Sequence, residues 1–241
     1  MSTSIDMAGA HRDAPEAAGP WRPLHRMGAV AALVSAVLIP IQIATVAAWP
    51  PPFGEPAADW FDYVQRRPLA GLVNLDLLLV ADNILLVVLV LALATVLWRT
   101  SASVTVVSVA AVGLSVAMYV ATNPALQMLA LSDRYAAATT GAERTVAEAA
   151  GEATLANWQG TAFHTAYLLG SAAGIALGVL LVRSGLFGRM IGWLAIVANA
   201  VGLGLYLPGV GIYVAIFSVL FLEIWYVLLA RRLFRISRRR T

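Results

Sequence analysis

The thirty residues Leu69–Trp98, LAGLVNLDLLLVADNILLVVLVLALATVLW, decide the fold. They are apolar round every face of a helix, and a helix rising ~1.5 Å per residue needs about 20 such residues to cross a ~30 Å hydrocarbon core. Strands of a barrel would alternate polar and apolar, and backbone groups in lipid must be hydrogen-bonded within their own segment. The spanning element is therefore a helix. Two acids interrupt the run, Asp76 and Asp82, with Asn74 and Asn83 close by.

Working outward, five further runs of the same kind appear: Met27–Trp49, Val104–Ala121, Gly160–Val182, Met190–Tyr206 and Val210–Leu229. The last two are separated only by Leu207, Pro208 and Gly209, but a single helix of that length would overshoot a bilayer, and Pro-Gly is a strong turn signal. The expected fold is all-α, a polytopic membrane bundle of six transmembrane helices. Its organisation reads as a disordered cytoplasmic tail (1–26), a membrane domain (27–230) with outer loops at 50–68 and 124–158, and a basic cytoplasmic tail (231–241). The first run is too long for the core of a secretory signal, so it reads as a retained helix.

Orientation comes from arginine, because the chain contains no lysine. With the N-terminus inside, Arg12, Arg22, Arg26, Arg99, Arg183, Arg189, Arg231, Arg232, Arg235, Arg238, Arg239 and Arg240 share the inner side, leaving Arg66, Arg67, Arg134 and Arg144 outside. This twelve-to-four split predicts cytoplasmic termini in a bacterial plasma membrane. The net charge of +3 then reports orientation and calls for no nucleic acid. Clustered arginines at the inner rim make anionic lipid the expected partner there.

The outer segments carry their own signals. Asp59, Trp60, Phe61, Asp62 and Tyr63 suggest a short helix at headgroup level or, more simply, an aromatic belt. In 124–158, Thr140 and Glu143 form a capping box, and Arg144, Glu148 and Glu152 follow at i, i+4 spacing. This segment is expected to form a helical cap or a solvated connection.

Absences prune the list of functions. No lysine excludes a Schiff base to retinal or pyridoxal phosphate. No cysteine excludes thiol catalysis, thiolate metal sites and iron–sulfur clusters. His11 and His25 fall in the tail, so His164 is alone in the bundle, and neither a cofactor nor a metal is expected. There is no P-loop, dinucleotide fingerprint or nucleophile elbow.

What remains is a set of polar residues inside apolar helices, where charge is costly and usually has a partner or a task. Depth along the helices groups Asp76, His164 and Asn199 in one layer beneath Asn123, and Asp82, Asn83 and Glu223 in a deeper one. These seven are the candidates for binding or proton coupling. The ridge Gly170, Gly174 and Gly178 is assigned to close helix packing, and Gln42 to the carbonyl freed by Pro40.

Three stretches carry a family resemblance: Phe163–Tyr167, Leu181–Trp193 and Glu223–Trp225. In them the chain resembles an uncharacterised bacterial membrane family, domain of unknown function 4386. The resemblance covers roughly the C-terminal third by motif and the whole chain by span number. That family usually has proline where Gly188 stands here. The resemblance implies a compact multi-helix fold and brings no substrate.

The preferred reading is a non-enzymatic carrier or binding protein for a small apolar or protonatable molecule, with buried acids as coupling or orienting groups. The alternatives are an intramembrane enzyme acting on a lipid-like substrate through Asp76 and His164, and an accessory membrane subunit, with oligomerisation open in each case.

Overall fold

A computed structural model describes residues 20–238, and among these the chain is helical with no strand. In order, the helices are α1 (Arg22–Ala48), α2 (Ala57–Arg66), α3 (Pro68–Asn74), α4 (Leu77–Leu97), α5 (Ala102–Thr122), α6 (Ala125–Ala137), α7 (Gly141–Trp158), α8 (Thr161–Ser184), α9 (Arg189–Gly202) and α10 (Gly211–Arg238). A 3₁₀ turn, Leu203–Tyr206, extends α9. Six of these elements (α1, α4, α5, α8, α9 with its turn, and α10) are long and apolar enough to cross a membrane.

The six pack as a ring in chain order. Each touches its successor, α1 to α4, α4 to α5, α5 to α8, α8 to α9 and α9 to α10, and α10 closes the ring against α1. Towards the arginine-rich end the ring is filled by a dry core in which Leu89, Leu93, Leu97, Leu180, Leu181, Leu229 and Leu233 are all buried. Small residues allow the closest approaches. A Cβ on Gly28 of α1 would lie 2.6 Å from Ala92 Cβ of α4, and one on Gly178 of α8 would lie 3.0 Å from the Gly192 carbonyl of α9.

The opposite end is closed by α2, α3, α6 and α7, which share a second core of Trp60, Phe61, Tyr63, Val64, Leu75, Met128 and Trp158. The aromatics of α2 are thus interior, not a belt at the headgroups, because α2 is amphipathic and α6 and α7 lie over its apolar face. The expected capping box is present, with Glu143 N–H donating to Thr140 Oγ1 and Glu143 Oε2 accepting from Thr140 N–H. The face carrying Glu152 is no solvated connection: its Oε1 accepts from the first N–H of α2, at Ala57, at 2.6 Å. A carboxylate there also complements the helix dipole.

Three expected boundaries change. The helix of α1 begins at Arg22, inside the segment read as a disordered tail, and buries His25, whose Nε2 meets Thr95 Oγ1 at 2.8 Å. Residues 1–19 of that tail lie outside the described residues. At the other terminus the chain to Arg238 is no loose tail, since α10 runs through it and buries Leu233 and Ser237. Third, the run Leu69–Trp98 is two helices, α3 and α4.

The α8–α9 turn holds Gly188 at φ +86°, ψ 143°. Proline is confined near φ ~−65°, so the residue usual in the resembled family could not occupy this position in this conformation. Arg232 secures the turn, donating through Nε to the Leu186 carbonyl at 2.7 Å and also through Nη2.

Candidate functional site

The site begins at the break between α3 and α4. Asp76 sits at φ +66°, ψ 23°, the left-handed region that a non-glycine residue seldom adopts and that aspartate tolerates better than most. Breaking a helix in an apolar setting releases backbone carbonyls, and side chains from neighbouring helices take them up. Gln42 Nε2 of α1 donates to Val73 O at 2.8 Å, and Asn123 Nδ2 donates to Leu75 O at 2.8 Å. Gln42 therefore serves this break, not Pro40 in its own helix. The Asp76 carboxylate accepts from Trp158 Nε1 of α7 at 3.2 Å and from Gln42 Nε2 at 3.4 Å, with Tyr119 of α5 facing it.

Below Asp76, α4 stands apart from α8 across the ring, leaving a cavity of about 430 Å³ between the dry core and the cap. Asp76, Asp82, Asn83 and Asn199 all line it. Aromatic walls come from Tyr119, Phe163, Tyr167, Trp225 and Tyr226, and the rest is mainly aliphatic, with no arginine or histidine among the lining residues. A side chamber of about 150 Å³ shares Tyr167, Ser171 and Asn199 with it and adds Ser218.

Asp82 is the most enclosed acid of the wall, 7% exposed, and its Oδ1 accepts from Tyr226 Oη at 3.3 Å. Glu223 lies three residues before Tyr226 on α10, hence on the same helix face, and near enough to Asp82 for their charges to interact. Glu223 Oε1 is enclosed without a hydrogen-bond partner, and no ion pair joins Glu223 to Arg183 or Arg189 among the described residues.

Most polar side chains of the cavity spend their donors on backbone carbonyls. Asn83 Nδ2 donates to Leu79 O and Asn199 Nδ2 to Ala195 O, each at 2.8 Å. Ser115 Oγ donates to Ala166 O and Tyr167 Oη to Gly202 O, each at 2.7 Å. What is left to donate is the second Nδ2 proton of each asparagine, the Ser171 hydroxyl, and the Trp225 indole N–H, which is buried and has no acceptor.

Of the seven sequence candidates, the structure gathers four at one cavity and assigns the others elsewhere. The expected meeting of Asp76, Asn199 and His164 does not occur for the histidine. His164 is exposed, does not line the cavity, and pairs through Nδ1 with Tyr206 Oη at 3.2 Å. Asn123 braces the helix break and caps α6 by accepting from Ala125 N–H at 3.1 Å. Glu223 is not among the residues that line the cavity, although its charge is near enough to Asp82 to interact. The glycine ridge divides its work: Gly178 packs against α9, while Gly174 makes room for the Asn199 side chain. Sequence reasoning missed Tyr119, Tyr226, Trp225 and Trp158. The signal available was an aromatic bearing a polar atom inside or beside an apolar run.

Comparisons of the chain with family models, with curated proteins and with solved structures return no match.

Proposed function

We propose that this chain is a bacterial plasma-membrane protein with cytoplasmic termini, acting as a non-enzymatic carrier or binding protein for a small molecule held in the central cavity. The observation that carries the reading is the cavity of about 430 Å³, lined by apolar and aromatic side chains with a few convergent polar groups. Small-molecule sites have this form and occupy about 300–1,000 Å³. The arginine distribution supports the orientation, and the arginines exposed on the last turns of α10 support anionic lipid as the partner at that end. Membership of domain of unknown function 4386 belongs to the same proposal and rests on residues 163–167, 181–193 and 223–225.

Filling the cavity tests the reading. Ala215 and Val219 of α10 both line it, so Ala215→Phe and Val219→Phe project rings into the space without touching an acid. Wild type and variants, purified alike and extracted with organic solvent, should differ by a small molecule present near stoichiometry in wild type and absent from both variants. Identical extracts would sink the proposal.

A further inference from the structure

The cavity has a hydrogen-bonding polarity, and it restricts what can bind. The rest of this reasoning depends on the cavity being a ligand site. Asn83 and Asn199 have given their Nδ2 groups to their own helices, and Ser115 and Tyr167 have given their hydroxyl protons to carbonyls of α8 and the end of α9. An amide so engaged keeps one N–H beside its Oδ1, whereas a hydroxyl so engaged offers only its lone pairs. Asp76 and Asp82 add carboxylate oxygens to the same wall. Acceptors therefore outnumber donors on the surface offered to a ligand, the remaining donors being the second N–H of each asparagine, the Ser171 hydroxyl and the buried Trp225 N–H.

Charge points the same way. Two aspartates line the cavity, Glu223 is near enough to Asp82 for their charges to interact, and no basic side chain lines the space. Asp76 is held by Trp158 and Gln42, whereas Asp82 accepts through Oδ1 from Tyr226 with the Ser35 hydroxyl of α1 beside it. Tyr119, Tyr226 and Trp225 place aromatic rings beside the acids, and aromatic rings attract a desolvated cation. An anion would meet acids and lone pairs, and a neutral apolar molecule would leave the acceptors unpaired.

We propose that the cavity binds a lipophilic organic cation bearing N–H donors, an ammonium or amidinium group on a compact apolar body, with its charged head at Asp82 and its body against the aliphatic and aromatic wall. Asp82 Oδ2 and Asn83 Oδ1 accept from the head, and Asn199 Oδ1 accepts across the cavity. The ligand's charge offsets acids in a wall that carries no basic side chain.

The test uses the purified full chain in phosphatidylcholine nanodiscs, with empty nanodiscs subtracted, and equilibrium dialysis of three probes that share one body: 1-adamantylammonium, 1-adamantanol and 1-adamantanecarboxylate. Wild type should bind the ammonium saturably and at least about tenfold more tightly than the alcohol, with no binding of the carboxylate. Asp82→Asn keeps the shape and removes the charge, and should weaken the ammonium by about 10- to 100-fold, the scale of a hydrogen bond to a charged group, while leaving the alcohol unchanged. Ala215→Phe should abolish both. Equal binding of alcohol and ammonium, or an Asp82→Asn variant that binds the ammonium like wild type, would overturn the cation assignment and leave the cavity as a site for neutral molecules. Absence of saturable binding by any probe, or binding that survives Ala215→Phe, would overturn the cavity as a ligand site as well. Thermal melting in the same nanodiscs establishes that each variant is folded. If Asp82→Asn does not fold, the order of the three probes on wild type decides.

Discussion

Trp158, the last residue of α7, donates its indole N–H to the carboxylate of Asp76, which with Leu75 separates α3 from α4. One hydrogen bond of 3.2 Å thus ties the cap to the point where the longest apolar run of the sequence breaks. Replacing Trp158 by Phe keeps a ring against Trp60 and removes the donor. The expected cost is about 1–3 kcal/mol, since an acceptor at a partly buried break loses a partner. Hydrogen exchange should quicken across α7 with no loss of total helix by circular dichroism. Unaltered exchange in α7 would mean that aromatic packing alone holds the cap.

The left-handed backbone of Asp76 gives a second expectation. Asn and Gly tolerate φ > 0, whereas a β-branched residue there is a genuine outlier. Asp76→Val should therefore lower thermal stability by about 1–3 kcal/mol more than Asp76→Asn. Asp76→Asn should differ from wild type mainly through the bonds from Trp158 and Gln42. Equal melting of the two variants would show that the break relaxes into a continuous helix when substituted.

The same residue marks how far the sequence could be read. Hydropathy identifies every spanning helix, because each must be apolar over its whole length, and the Thr140–Glu143 box announces the start of α7 through local chemistry alone. The break at Asp76 leaves no such trace, since Leu75 and Leu77 continue the apolar run and aspartate is at home in several conformations. Depth sorts Asp76 and Asn199 into one layer and Asp82 and Asn83 into a deeper one, whereas the structure lines a single cavity with all four. Depth carries no information about rotation about the helix axis, which turns His164 away towards Tyr206. It is equally blind to side-chain bonds within a helix, and these commit one Nδ2 proton of Asn83 and one of Asn199 to carbonyls of their own helices.

Glu143 provides a pH test outside the membrane-spanning helices. Backbone N–H groups of Thr139 and then Thr140 hold its carboxyl below the usual carboxylate range, with the Thr139 hydroxyl adding to them. A group whose pKa is depressed by folding contributes stability above its unfolded value, and that contribution is lost as pH falls through the folded value. The first turn of α7 should then fray as pH drops below about 4, read as faster exchange at residues 141–145 relative to the rest of α7 after correction for intrinsic rates. Glu143→Gln retains a capping acceptor without the titration, so its fraying should not respond to pH over that interval. A wild-type response matching that of Glu143→Gln would remove the carboxylate from the explanation.

Orientation can be read with single cysteines, because the chain has none of its own. Ala142 is exposed on the cap, and Ser103 is exposed near the start of α5 at the arginine-rich end. An impermeant thiol reagent added to intact cells should label Ala142→Cys and reach Ser103→Cys only after the membrane is opened. Labelling of Ser103→Cys in intact cells would reverse the orientation drawn from the arginines.

The arginines of α10 separate into two kinds of work. Arg232 is engaged by the Leu186 carbonyl at the α8–α9 turn, whereas Arg235 and Arg238 are exposed on the last turns of the helix. An exposed arginine near an anionic surface is attracted by about 1 kcal/mol. Arg235→Gln with Arg238→Gln should lower the anionic lipid retained through purification, leaving the melting temperature unchanged. Arg232→Gln should do the opposite, lowering the melting temperature by freeing the turn while retaining most of the lipid. Lipid quantified by mass spectrometry beside a thermal melt distinguishes the two. Equal lipid retention by the double variant and wild type would leave Arg235 and Arg238 with topological anchoring alone, the role that the positive-inside pattern already requires of them.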